Sequence, residues 1–161
     1  MRERESVYTY TQPLKIYVAS TFGLIPDVET VVAALEHAGH EITVKWWARE
    51  YEIDGELIPT TTLKLINHVL TPGEFYAKPE TKFSFNSDFN GIKDADAFVF
   101  VAARAARAYN GANIELGIAI GDSKPCFSLG TLDLSVLYYP VTQCRTINEL
   151  LGHLRDLQLS M

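Results

Sequence analysis

Cysteine is scarce in this chain: two in 161 residues, Cys126 and Cys144. Two thiols in a chain this long exclude a disulfide scaffold, and no cysteine pair stands at zinc-ligand spacing. Both are read as reduced thiols. Long apolar runs are absent too. No stretch reaches the roughly 18 residues of a membrane helix. The N-terminal MRERESVYTYTQ lacks the apolar segment of a signal peptide, so a cytoplasmic location is expected, with no membrane partner. Basic charge is in short supply, with 14 Lys and Arg against 20 Asp and Glu and a net charge of -6. That balance argues against a nucleic-acid polymer as partner, which would need a cationic face. It leaves room for a small anionic ligand held by a few local cations or backbone amides. The four histidines (His37, His40, His68 and His153) are scattered without metal spacing. No metal site is expected from them.

What remains is the balance of a globular domain, 47% hydrophobic and 21% charged. Residues 1–13 read as a tail ending at Pro13, and residues 14–161 as one domain. Residues 14–19 (LKIYVA) form a first strand. Pro26 and Asp27 open a helix to about Ala38, with Val28, Val31, Val32 and Leu35 at helical spacing, and Gly39 closes it. Residues 42–46 read as a second strand and residues 97–101 (AFVFV) as a third, apolar on both faces and so buried. Residues 111–121 (GANIELGIAIG) are a helix, residues 126–129 a fourth strand and residues 137–139 a fifth. Residues 147–157 are a closing helix. Between 48 and 91 the pattern is weaker. It suggests a helix over 61–70, stopped by Thr71-Pro72-Gly73, and a short helix over 87–93. The aromatic stretch holding Phe75, Tyr76, Phe83 and Phe85 reads either as a lid or oligomer contact or as packed loop.

Alternation of strand and helix predicts an α/β fold: a flavodoxin-like, doubly wound, five-stranded parallel sheet of order 2-1-3-4-5. In that order strands 1 and 3 flank the topological switch point, where ligands bind at the carboxyl ends of the strands. The loop of Ser20, Thr21 and Phe22 and the segment 102–113 converge there.

Glu115 is the sole charged residue of the 111–121 helix. A carboxylate on an otherwise apolar helix faces a cleft, finds a partner or takes up a proton. Beside a substrate pocket it can attack an anomeric carbon or stabilise an oxocarbenium-like centre. An exposed glutamate near a helix start is the alternative reading of the same residue.

Three separated segments resemble the nucleoside 2-deoxyribosyltransferase family, including its relatives that hydrolyse nucleoside monophosphates. They are KIYVAS at 15–20, followed by a helix ending LEHAGHEI; NSDFNGIKDAD at 86–96; and NGANIELG at 110–117, followed by KPC. Together they span about residues 14–130. The resemblance implies an N-glycosidase or deoxyribosyltransferase that needs no cofactor and acts on a nucleoside or nucleoside 5′-monophosphate. Glu115 matches the family's nucleophile, Tyr17 the tyrosine that hydrogen-bonds it, and Asp88 the aspartate that handles the base and its proton. The family usually assembles as dimers or larger rings, so a homodimer or higher homo-oligomer is implied here.

The chain departs from the family pattern at Tyr109. Six residues before the nucleophile the transferases carry an aspartate that binds sugar hydroxyls, and the monophosphate hydrolases a serine that meets phosphate. Asn113 also stands where a small residue is usual. Arg104 and Arg107, with Ser20, Thr21 and the helix start at Gly111, suit a phosphate; two solvated arginines are the alternative. Trp46-Trp47 places one ring in the core, with the other either at the crevice rim or in packing. A second functional reading keeps the fold as a catalytically weak nucleotide-binding or regulatory module.

Overall fold

A computed structural model describes residues 11–61, 70–102, 109–132 and 135–161. The predicted tail therefore lies almost wholly outside the described residues, as do most of the helix expected over 61–70 and both Arg104 and Arg107.

Five strands form one parallel sheet: β1 (Lys15–Ala19), β2 (Glu41–Ile42), β5 (Ala97–Val101), β6 (Cys126–Leu129) and β7 (Val141–Cys144). Their spatial order is β2-β1-β5-β6-β7. Counted within the sheet this is the predicted 2-1-3-4-5. Helices α1 (Ile25–His37) and α5 (Ile147–Ser160) cover one face, and α3 (Pro79–Asp94) and α4 (Asn110–Gly121) the other. β1 and β5 are completely buried apart from the exposed Lys15 at the start of β1, as expected for parallel strands with helices on both faces. The lysine amide donates to Asp96 Oδ2 at 2.7 Å, so the aspartate before β5 ties the two central strands at their entrance. Among the described residues no helix is long and apolar enough to cross a membrane.

The ends of the sheet differ from expectation. β2 is two residues long rather than five. After one more ladder bond, from Thr43 N to Ile16 O at 3.0 Å, the chain leaves the sheet for a helical turn at Trp46–Ala48. Trp46 and Trp47 are both buried and pack edge-on at 5.4 Å, and Trp46 Nε1 donates to Val18 O at 2.8 Å. Burying both indoles outweighs extending an edge strand. The fifth strand is Val141–Cys144, not residues 137–139. Val136–Tyr138 is a short helical turn whose apolar side chains stay largely in water, whereas Val141 and Cys144 bury their side chains. β-propensity without burial misled there.

The segment between β2 and β5 is an insert with its own order. β3 (Glu50–Ile53) and β4 (Glu56–Pro59) form an antiparallel hairpin. Asp54 and Gly55 both have positive φ, 54° and 78°, the two-residue turn that an Asp-Gly pair favours. The helix expected to end at Thr71 lies almost wholly outside the described residues, but Thr71 has a role of its own. It caps α2 (Pro72–Ala77) through a capping box with Glu74. The aromatic stretch and the predicted short helix are helical: residues 79–94 form the single helix α3.

Candidate active site

A cleft of about 470 Å³ opens at the carboxyl ends of β1 and β5, where the sheet order reverses. Ser20 Oγ donates to Val101 O at 2.7 Å and joins the two strand ends at its floor. Ser20, Thr21, Phe22, Tyr109, Gly111 and Glu115 line it from the sheet side. Trp46, Arg49, Tyr51, Thr60 and Asp88 line it from the insert.

Glu115 reaches the cleft because α4 packs by one stripe. Ala112, Leu116 and Ala119 are buried, and Glu115 falls on the edge of that face at i+3 from Ala112. The helix is not buried all round, since Ile114 is 68% exposed. Tyr17 sits on the strand face that α3 and α4 cover, fully buried and stacked on its cross-strand partner Phe98 at 5.6 Å. Its hydroxyl donates to Glu115 Oε1 at 3.0 Å. Burial, and then the charges of Glu115 and Asp88, hold the phenol well above its ordinary range, so it stays a neutral donor.

Burial, with the nearby Asp88 charge, pushes the Glu115 carboxyl up to about 8. The Tyr17 hydrogen bond and the charge of Arg49 work the other way without reversing it. Near neutral pH the free protein therefore carries a largely protonated glutamic acid in its cleft.

Asp88 is brought to the same cleft by α3. Gly91, one turn later, makes this possible. A Cβ there would lie 2.3 Å from Val44 Cγ2, 3.3 Å from Thr43 Oγ1 and 3.4 Å from Tyr17 Cδ2. The missing side chain lets α3 lie directly on β1 and the segment after β2, and carries Asp88 in over the sheet. This is the physical content of the Asp-x-x-Gly spacing in NSDFNGIKDAD. Asp88 is not free, however. Arg49 grips it with both arms of its guanidinium, Nη1 to Oδ2 at 3.0 Å and Nη2 to Oδ1 at 2.6 Å. Burial disfavours the Arg49 charge, but the hydrogen bonds and charge of Asp88 more than restore it, so the guanidinium is held above its ordinary range.

Tyr109, immediately before α4, lines the cleft and packs edge-on against Phe100 at 5.0 Å. Asn113 is not among the lining residues. Its Oδ1 accepts from the Tyr138 hydroxyl at 2.9 Å. Sequence reasoning missed Arg49, Tyr51 and Thr60. The Asp-Gly turn was the available signal. A hairpin centred on it fixes residues 49–60, and Thr60 N to Arg49 O at 2.8 Å closes its base.

The five-stranded parallel sheet and its flanking helices have the fold of solved nucleoside 2-deoxyribosyltransferase-type structures, and the resemblance noted in the sequence is borne out at that level. The chain is similar to a CMP N-glycosidase, BcmB, from Clostridium botulinum, with 14% identity, a TM-score of 0.51, and coverage of 88% of this chain and 98% of that one. It is also similar to a 2-deoxyribosyltransferase from the psychrotolerant bacterium Bacillus psychrosaccharolyticus, with 18% identity, a TM-score of 0.61, and coverage of 89% and 95%. No protein-family model and no curated protein sequence matches the chain. At these identities the likeness is one of fold.

Proposed function

We propose that this protein breaks the N-glycosidic bond of a nucleoside or nucleoside 5′-monophosphate, with Glu115 as nucleophile. The observation that carries the reading is the Glu115 carboxyl, lining the switch-point cleft and held at 3.0 Å by a fully buried tyrosine hydroxyl. Two enzymes of glycosyl-bond chemistry share the fold over most of their length, which supports it. In the proposed step the ionised form of Glu115, its proton already lost to water, bonds through one oxygen to C1′ as the C1′–N bond breaks, and the base departs with the electron pair. Water then opens the glycosyl ester in hydrolysis, or a second base does so in transfer. Tyr17 donates to one carboxyl oxygen and leaves the other to attack. Ser20, Thr21, Phe22 and Gly111 contact the sugar or its 5′-substituent, and Tyr109 replaces the residue that would discriminate between them.

Glu115→Gln removes the nucleophile while keeping an oxygen acceptor for Tyr17. Chromatography of a nucleoside and nucleotide panel should show base release by the wild type and none by this variant. Full activity of the variant on every substrate the wild type turns over sinks the reading. Tyr109→Ser tests the substrate class, with an expected shift in kcat/KM towards monophosphates.

A second reading, a nucleotide-binding module with little turnover, draws on Tyr109 and on the protonated state of Glu115 at neutral pH. It predicts a thermal shift with nucleotides and no release of base. The assembly we propose is a cytoplasmic homodimer or larger homo-oligomer, using the apolar surface of α2 and α3, where Tyr76, Phe83 and Phe85 are 74%, 70% and 63% exposed. An active monomer in sedimentation would remove that element.

A further inference from the structure

Arg49 is the lone cation among the described residues that line the cleft. Its side chain is only 17% exposed. A guanidinium carries five N–H donors, and Arg49 commits two of them, one from each terminal nitrogen, to Asp88. The other three have no partner among the described residues. A half-buried cation with three spare donors, lining the same cleft as a candidate nucleophile, is built to meet negative charge. Its orientation is fixed from two sides. Asp88 holds the fork, and the Thr60 amide holds the Arg49 carbonyl at 2.8 Å at the base of the hairpin.

Asp88, by contrast, is poorly arranged to give a proton away. Both its oxygens already accept from the fork, and a carboxylate paired in this way only accepts. This geometry speaks against the division of labour implied by the family resemblance, in which the aspartate serves the base and its proton.

We infer that Arg49 is a catalytic residue that takes up the negative charge of the departing base, and that Asp88 is the positioning residue that aims it. The inference rests on the N-glycosidic reading of the site. As Glu115 bonds to C1′, the electron pair of the C1′–N bond passes to the ring nitrogen. The charge spreads over the base onto an oxygen or nitrogen that accepts from an Arg49 N–H. Arg49 keeps all its protons. The freed base takes its proton from water, and a second water hydrolyses the glycosyl ester and restores the Glu115 carboxylate. The substrates favoured are nucleosides whose base is a stable anion, with charge on a ring carbonyl or ring nitrogen.

Two measurements test this. The first needs no turnover. The acidic pyrimidine 5-nitrouracil, an anion at neutral pH, is titrated into wild type, Arg49→Lys and Arg49→Gln, with uridine as the neutral comparison. The anion should bind roughly tenfold or more weakly to Arg49→Gln, with uridine little changed and Arg49→Lys intermediate. Equal binding of the anion by all three overturns the inference. The second follows kcat over nucleosides whose bases differ in acidity. The loss in Arg49→Gln should be on the order of 100-fold for the poorest leaving base and shrink towards none for the best, as for removal of a preorganised charge-stabilising donor. Asp88→Asn should show the same slope with a smaller loss. A uniform loss in Arg49→Gln, or a steeper slope in Asp88→Asn than in Arg49→Gln, overturns it. Anion binding that depends on Arg49, with no base released from any nucleoside, would reject the proposed function and leave the anion site standing.

Discussion

The two walls of the cleft hold one carboxyl group each and treat them oppositely. On the sheet wall Glu115 receives a hydrogen bond from a neutral phenol, has no ion pair among the described residues, and is pushed up to about 8. On the insert wall Asp88 is held bidentately by a guanidinium. Both residue types are chemically similar, and both sit in partly buried positions. The difference lies in what each wall brings to its acid. The sheet wall is made of β1, β5 and α4, whose apolar packing strips water from Glu115. The insert wall is made of polar elements that supply a counter-ion. One acid is left without a counter-ion among the described residues, and the other is gripped by one.

The comparison breaks most sharply at Glu115. Replacement by Gln should lower base release on the order of 1,000-fold or more, as for loss of a covalent nucleophile. The same substitution should stabilise the fold at alkaline pH. Up to the ordinary value of 4.5 the acid is protonated in both folded and unfolded chains. From there to about 8 the unfolded chain gives up its proton while the folded chain keeps it, so stability falls as pH rises through that window. A rise of this size corresponds to about 5 kcal/mol. Melting curves of Glu115→Gln should match wild type at pH 4 and lie roughly 5 °C or more above it at pH 9. A constant difference across pH would show that the carboxyl is not the destabilising group.

Gly91 joins the two walls, and Gly91→Ala tests whether they act together. The new methyl meets Val44 Cγ2 at 2.3 Å, so α3 or Val44 must move. Destabilisation of about 1–3 kcal/mol is expected from this overpacking. Displacing Asp88 and its arginine should also lower kcat/KM by roughly 10- to 100-fold. Val44→Ala in the same chain clears the clash and should restore much of both. Failure of that double substitution to recover activity would show that Gly91 serves some purpose other than close approach.

The sheet wall was legible in the sequence and the insert wall largely was not. β1, β5, α4 and β6 announce themselves as apolar runs or periodic stripes, and Glu115 stands out because nothing else in its helix is charged. Tyr17 and Asp88 became visible only through the family resemblance, since one strand tyrosine and one helix aspartate carry no signal alone. Arg49 was invisible for a different reason. It pairs with a residue 39 positions away, through a hairpin whose strands are half exposed and therefore weakly patterned. The fifth strand was misplaced because Leu137 and Tyr139 favour β structure yet remain 75% and 93% exposed, while the true edge strand alternates little.

The smallest expected effect concerns Tyr17, and it separates packing from chemistry on the sheet wall. Tyr17→Phe keeps the ring stacked on Phe98 and removes only the hydroxyl. The Tyr17 hydrogen bond lowers the Glu115 carboxyl against the burial that raises it. Without it Glu115 should ionise at still higher pH, so the rise of kcat/KM with pH, expected near 8 in the wild type, should move to the alkaline side. At pH 7 the loss should be roughly tenfold, the scale of one hydrogen bond to a charged group. At a pH well above the shifted limb most of the activity should return. Activity lowered equally at all pH values would assign the hydroxyl to orienting the carboxyl rather than to its ionisation. An unchanged profile would reduce Tyr17 to a packing residue and leave Arg49 as the one group in the cleft that helps Glu115 to ionise.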